Sequence, residues 1–206
     1  MNRKLFSCFL LFSVIYSGEF NDVNIDDISS TRILSIAQDS TGFIWIGTDD
    51  GLNRYDGFQN KVYRSDIFDE TTVSGNRIWK IHVDKSNTTW VLTDRGACYY
   101  DATRDQFERI DTGSRAQHIQ DKNNTLYVST LNSGIYAINK ETKSFKNYLF
   151  DPLDPFSVSS SKFSRQQTKP TAVDGDNIWI GTMNGLNRIN QNTGQAKRLY
   201  SKKKAL

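Results

Sequence analysis

Trp45 to Gly57 reads WIGTDDGLNRYDG, and Trp179 to Asn190 reads WIGTMNGLNRIN. Two worn copies lie between them, WVLTDRGACYY from Trp90 and YVSTLNSGIYAIN from Tyr127. One aromatic-led segment repeated at 45, 90, 127 and 179 limits the fold more tightly than composition can. Self-similarity at a period of about 40 to 50 residues belongs to architectures in which each repeat is one supersecondary unit buried by its neighbours.

Around each copy the apolar runs are about five residues long, rich in Ile, Val, Trp, Tyr and Phe, and bounded by Asp, Asn and Gly, which is the pattern of short strands joined as hairpins. The first unit reads ILSIAQ, DSTG, FIWIGT, DDG, LNRY and then a longer loop before KVYR. The others repeat that order, and no stretch after the N-terminal apolar run sustains a helical period. The expected fold is all-β, with β-propeller blades of four antiparallel strands, about four blades at 33–64, 78–110, 116–150 and 170–200. A single blade cannot bury both faces, so Trp45, Trp90, Tyr127 and Trp179 are expected in the core between adjacent sheets rather than on an exposed sugar-stacking platform.

Two turns recur. Asp39, Asp84 and Asp121 stand three residues before Gly42, Asn87 and Asn124 and six before Trp45, Trp90 and Tyr127. A leading Asp accepts from backbone N–H groups two residues on, and Gly or Asn takes the positive-φ position. In the fourth unit Asp174 stands only five before Trp179, which leaves its register open. Gly51, Gly96, Gly134 and Gly185 close the second, tighter hairpins. Pro152 and Pro155 mark one long insertion, running to about Thr168 and read as an exposed loop of the third unit.

The N-terminus reads separately. Asn2, Arg3 and Lys4 precede an apolar run from Leu5 to Tyr16, too short to span a bilayer comfortably and patterned as a signal peptide over 1–18, with an uncleaved anchor as the competing reading. Residues 19–32 form a lead-in and 201–206 a basic tail. Cys8 lies in the apolar run, so Cys98 is the single cysteine of a processed chain and is expected buried as a small hydrophobe. Five of the 26 basic residues are Arg3, Lys4 and Lys202 to Lys204; the remaining 21 face 23 acidic ones, which argues against nucleic acid as a partner.

The pattern from Ile33 to Asp56, with Asp39, Gly42, Trp45-Ile46-Gly47-Thr48, Gly51-Leu52 and Arg54-Tyr55-Asp56, closely resembles the two-component regulator propeller repeat. Ile178 to Ile189 matches its second half, and the middle units keep the Asp, the aromatic, the Thr and the Gly. The resemblance implies a periplasmic sensor region of a histidine kinase, hybrid kinase or diguanylate cyclase receptor of a Gram-negative bacterium, in which seven-bladed propellers precede a β-sandwich, a membrane helix and a signalling output. Four units, with no such output, imply a truncated member of an incomplete seven-bladed propeller, and the Lys202 to Lys204 run is compatible with a frameshift scar. The partner it implies is an oligosaccharide or another periplasmic small molecule, with dimerisation belonging to a full-length receptor and membrane attachment only through missing C-terminal parts or an uncleaved signal.

Catalytic chemistry has no motif here. His82 and His118 fall on first strands without a third ligand at diagnostic spacing, and His118, in phase with apolar positions, reads as a satisfied, partly buried histidine. The repeated aspartates read as turn formers, not a carboxylate pair. DGDN at Asp174 lacks the distal Glu of a calcium loop, and GTDDG lacks the Lys and helix of a phosphate loop. No catalytic residue, metal ligand or cofactor is therefore assigned. The expected function is ligand sensing by binding, and the alternative is a secreted propeller hydrolase or lyase acting on polysaccharide, which three or more arginines or carboxylates converging on one face near the axis would favour.

Overall fold

The computed structural model describes residues 25, 27–164 and 169–200; the expected signal peptide and tail lie outside them. Sixteen strands form four antiparallel sheets, each a meander in chain order. Sheet one is β1 (Ile33–Gln38), β2 (Ile44–Thr48), β3 (Leu52–Tyr55) and β4 (Asn60–Tyr63). Sheet two is β5 (Ile78–Val83), β6 (Thr89–Thr93), β7 (Gly96–Asp101) and β8 (Gln106–Ile110). Sheet three is β9 (Ala116–Lys122), β10 (Thr125–Thr130), β11 (Ile135–Asn139) and β12 (Phe145–Tyr148), and sheet four is β13 (Thr171–Asp174), β14 (Asn177–Thr182), β15 (Gly185–Asn190) and β16 (Ala196–Leu199). The first strands β1, β5, β9 and β13 neighbour one another in sequence order, so the sheets stand as an arc of propeller blades with their first strands innermost.

Each junction between sheets holds one apolar cluster, and the second-strand aromatic lies in it. Trp45 packs with Ile81, Val91, Cys98 and Phe107 of sheet two. Trp90 packs with Leu126, Val128, Tyr136 and Ile138 of sheet three, and Tyr127 with Ile178, Ile180, Ile189 and Ala196 of sheet four. All three are buried. Trp179 departs from the core expectation: it is only half-buried, because among the described residues no fifth sheet lies over β14.

The first turn takes the expected form in sheets one and two. Asp39 Oδ1 accepts from the Thr41 and Phe43 amides at 3.0 and 3.1 Å, while Oδ2 accepts from Trp45 Nε1 at 2.8 Å. Asp84 repeats this with Ser86, Thr88 and Trp90 Nε1 at 2.8, 3.0 and 2.9 Å. Each carboxylate thus ties a five-residue loop to the core aromatic, and Asn87 takes a φ of 62°. Asp121 is not a turn former. It lies within β9 opposite Leu126, and the loop shrinks to Asn123 and Asn124, with Asn123 rather than Asn124 at positive φ. The physical reason is Tyr127: with no indole N–H beside Asp121, the tie cannot form, and the Tyr127 hydroxyl instead reaches Gln191 Oε1 of sheet four at 2.6 Å. In sheet four Asp174 ends β13 opposite Asn177, so the shorter spacing makes a two-residue loop.

The second turn is closed by the same bonds in every sheet, with one extra residue in sheet three. The Thr48, Thr93, Thr130 and Thr182 hydroxyls donate to the carbonyls of Gly51, Gly96, Gly134 and Gly185 at 3.0, 3.1, 2.9 and 3.0 Å. Each also accepts an amide from inside the loop. Gly134 has a φ of 74°, and a Cβ there would collide with the Tyr148 carbonyl of its own outer strand; the hairpin needs glycine for both reasons.

The described part of the insertion, 151–164, is not simply an exposed loop. Val158, Ser159 and Phe163 are buried, and Arg198 of β16 donates to the Asp154 and Ser157 carbonyls at 2.9 and 2.8 Å. Residues 66–76 do the same for sheet two, held by Arg109 of β8 through the carbonyls of Asp66, Asp69, Thr72 and Val73. In both, a loop carbonyl pairs with the outer strand, Thr71 with the Phe107 amide and Phe156 with the Ala196 amide. The loops then seat a serine at the same sheet, Ser74 against Thr93 and Ser159 against Thr182 and Asn187. Cys98 occupies the place of Asn187 in sheet two, fully buried, its thiol pushed up to about 11 by that burial.

Trp90→Ala should therefore cost about 3–5 kcal/mol, whereas Trp179→Ala should cost well under half of that. Chemical denaturation of the two variants at low protein concentration checks the difference.

Candidate ligand-binding wall

The innermost strands carry an irregularity that the repeat signature does not announce. In sheets one to three the ladder slips one residue near the start of the first strand, between Ile33 and Ser35, between Ile78 and Lys80, and between Ala116 and His118. Such bulges re-aim the extra side chain out of the ladder, which here is Leu34, Trp79 and Gln117. A cation stands just before each of these strands: Arg32, Arg77 and Arg115, with Lys169 two residues before β13.

The central residue is Trp79. The guanidinium carbons of Arg77 and Arg115 lie 4.5 and 3.7 Å from its ring centroid, so cations from two successive sheets converge on one indole. Among the polar atoms that are buried yet lack a hydrogen-bond partner are Trp79 Nε1, Arg77 Nε, Gln117 Nε2, His118 Nε2, Gln120 Oε1 and Thr171 Oγ1. Buried polar groups are ordinarily paired, and these fall on or beside the first strands of sheets two, three and four. Trp Nε1 and Arg Nε can only donate. The wall as a whole offers more donors than acceptors and is positively charged, with Lys80 and Lys169 alongside.

His118 is half-buried and, against expectation, its Nε2 is unsatisfied. Burial, then Lys169, then Lys80 hold its pKa below the ordinary 6.5, so it is neutral at pH 7. His82 lies at the junction of sheets two and three, where Asp121 Oδ2 is 3.0 Å from its Nε2 and Asp121 Oδ1 accepts from Lys140 Nζ at 2.8 Å. Burial raises Asp121 while Lys140 and His82 outweigh it, and the carboxylate is held below its usual range. No group of three metal-ligating side chains occurs among the described residues.

The repeat residues Trp45, Trp90, Tyr127, Asp39, Asp84, Gly51, Gly96, Gly134 and Gly185 build the sheets and do not meet at this wall. A sequence signal for the wall did exist: a second tryptophan in IWKIHV, out of phase with the repeat, preceded by an arginine that recurs before other first strands.

An arc of β-propeller blades with a polar wall on its inner strands is the class of protein these features define. Residues 27–50 match the family model of the two component regulator propeller, and the chain carries that repeat. Over 50 residues it is 44% identical to a curated histidine kinase from Formosa agariphila, covering 24% of this chain and 4% of that one. Among solved structures it resembles the extracellular domain of a putative one-component system from B. thetaiotaomicron, at 26% identity and a TM-score of 0.60 over 85% of this chain and 26% of the other. The extracellular domain of a putative hybrid two-component system from the same organism shares the fold, at 23% identity and a TM-score of 0.64 over 84% of this chain and 25% of that one. The chain thus spans about a quarter of those structures. No helix of the described residues is long and apolar enough to cross a membrane.

Because His118 is held below 6.5 in the folded state, the unfolded chain binds the extra proton first, and stability falls as pH drops below 6.5. His118→Gln is expected to flatten that decline between pH 7 and 5, read from melting temperatures across the range.

Proposed function

We propose that this chain is part of a periplasmic sensor region of a two-component-type receptor, and that it binds a soluble carbohydrate fragment at the inner wall without turning it over. The observation that carries the reading is the set of unpartnered donors on or beside the first strands, Trp79 Nε1, Arg77 Nε and Gln117 Nε2. A saccharide offers many acceptor oxygens, which suit a wall with donors to spare. The likeness to extracellular sensor domains and the two-component regulator propeller match support the same assignment. Binding rather than hydrolysis is favoured because Arg77 and Arg115 are stacked on Trp79 and the Asp121 carboxylate of β9 is engaged by Lys140 and His82.

Calorimetric titration of the full chain with a panel of neutral and uronate oligosaccharides tests this. A ligand should be found whose affinity drops at least tenfold in Trp79→Ala and in Gln117→Ala, with the ligand recovered intact. Binding indifferent to both substitutions would overturn the wall as the site, and release of shortened or unsaturated sugars would support the hydrolase or lyase alternative.

A further inference from the structure

Cations reach the inner wall from three successive sheets. The guanidinium carbons of Arg77 and Arg115 lie 4.5 and 3.7 Å from the ring centroid of Trp79. Lys80 of β5 and Lys169, two residues before β13, stand near enough to His118 of β9 to add to the fall in its pKa that burial begins. Trp79 adjoins Lys80 in the chain, and Arg115 stands three residues before His118. Both groups of cations therefore belong to one pair of neighbouring strands, β5 and β9, with Lys169 added from the sheet beyond.

Little opposes this charge. Among the described residues Arg77, Lys80 and Lys169 form no ion pair. Asp94 Oδ1 accepts from the Arg77 backbone amide at 3.3 Å and is not paired with its guanidinium. The carboxylates within the four first strands are Asp121 and Asp174, and both fall at the finishing ends of β9 and β13, whereas the cations gather at the starting ends. Asp121 is already engaged by Lys140 and His82. Sheet one stands apart, since Arg32 before β1 faces Asp49 at 3.8 Å.

A partly buried cation without a counter-charge has given up hydration and gained no ion pair in return. Neutral hydroxyls can satisfy spare donors such as Arg77 Nε and Gln117 Nε2, but they leave the charge uncompensated. A carboxylate or a sulfate does both, and charge-assisted hydrogen bonds are roughly twice as strong as neutral ones.

We infer that the wall selects acidic saccharides, those bearing carboxylate or sulfate groups, with the acid groups facing Arg77, Lys80 and Lys169. The inference rests on the carbohydrate reading of the wall and adds the charge of the ligand to it. The same cations disfavour amino sugars, whose ammonium groups would meet like charge.

Calorimetric titration of the full chain tests the selection with an oligouronate and a sulfated oligosaccharide. Each is run beside its carboxyl-reduced or desulfated counterpart of the same length and linkage, which separates the two sources of charge. At least one acidic sugar should bind at least tenfold tighter than its neutral counterpart, and its affinity should fall several-fold between about 50 and about 300 mM salt. Lys80 and Lys169 are exposed. The double variant Lys80→Gln/Lys169→Gln should therefore keep its melting temperature while losing at least fivefold of the acidic sugar's affinity, and Arg77→Gln should act in the same direction. A neutral counterpart that binds as tightly as its acidic parent would overturn the charge selection and leave the carbohydrate reading standing. Silence toward every sugar would overturn both, and acid binding indifferent to salt and to these substitutions would overturn the assignment to these cations.

Discussion

The burial of one sheet's second-strand aromatic by the next sheet is the interaction on which everything else rests. A four-stranded meander has two faces to cover, and here the faces within the arc are covered by neighbouring sheets, with Val73, Val158 and Phe163 of the long loops joining the clusters. Trp45, Trp90 and Tyr127 are the largest side chains fully buried at the three junctions. Where the neighbour is missing, the same residue type at the same register, Trp179, is left half-exposed. The core is therefore a property of adjacency, and the two end sheets differ from the inner ones for that reason alone.

The remaining repeated residues position that aromatic. In sheets one and two an aspartate divides its oxygens between the loop amides and the indole N–H, so the loop's shape and the ring's orientation are set together. A threonine hydroxyl closes the opposite hairpin in all four sheets, and glycine beyond it lets the outer strand pass close by. Arg109 and Arg198 then lash a long loop to the outer strand of sheets two and four, which brings Ser74 and Ser159 to the threonine of the next hairpin.

Much of this was legible in the residues. The period, the strand-turn alternation and the tryptophans followed from one repeated phrase, because packing and tight hairpins demand particular residue types at fixed spacing. Asp121 was not legible: its spacing matched the other aspartates, and only the change from indole to phenol at Tyr127 removed the partner that keeps such an aspartate in a turn. Val158 and Phe163 were hidden by a proline- and serine-rich context that reads as exposed loop, although an arginine 41 residues away holds it down. The inner wall was harder still, since bulges at Trp79 and Gln117 leave no compositional mark and Arg115 meets Trp79 only once two sheets stand side by side. The scaffold is written in local rules; the wall depends on which strands become neighbours.

The wall and the repeat have separate roles in this account. The repeat residues hold the sheets together, and the first-strand residues face inward with donors to spare, so ligand chemistry can vary without disturbing the packing. Amide hydrogen exchange on the dilute, unassociated chain tests the underlying claim most directly. If coverage by the next sheet is what stabilises each blade, β2, β6 and β10 should exchange slowly and β14 markedly faster. Protection of β14 equal to that of β6 would contradict the account.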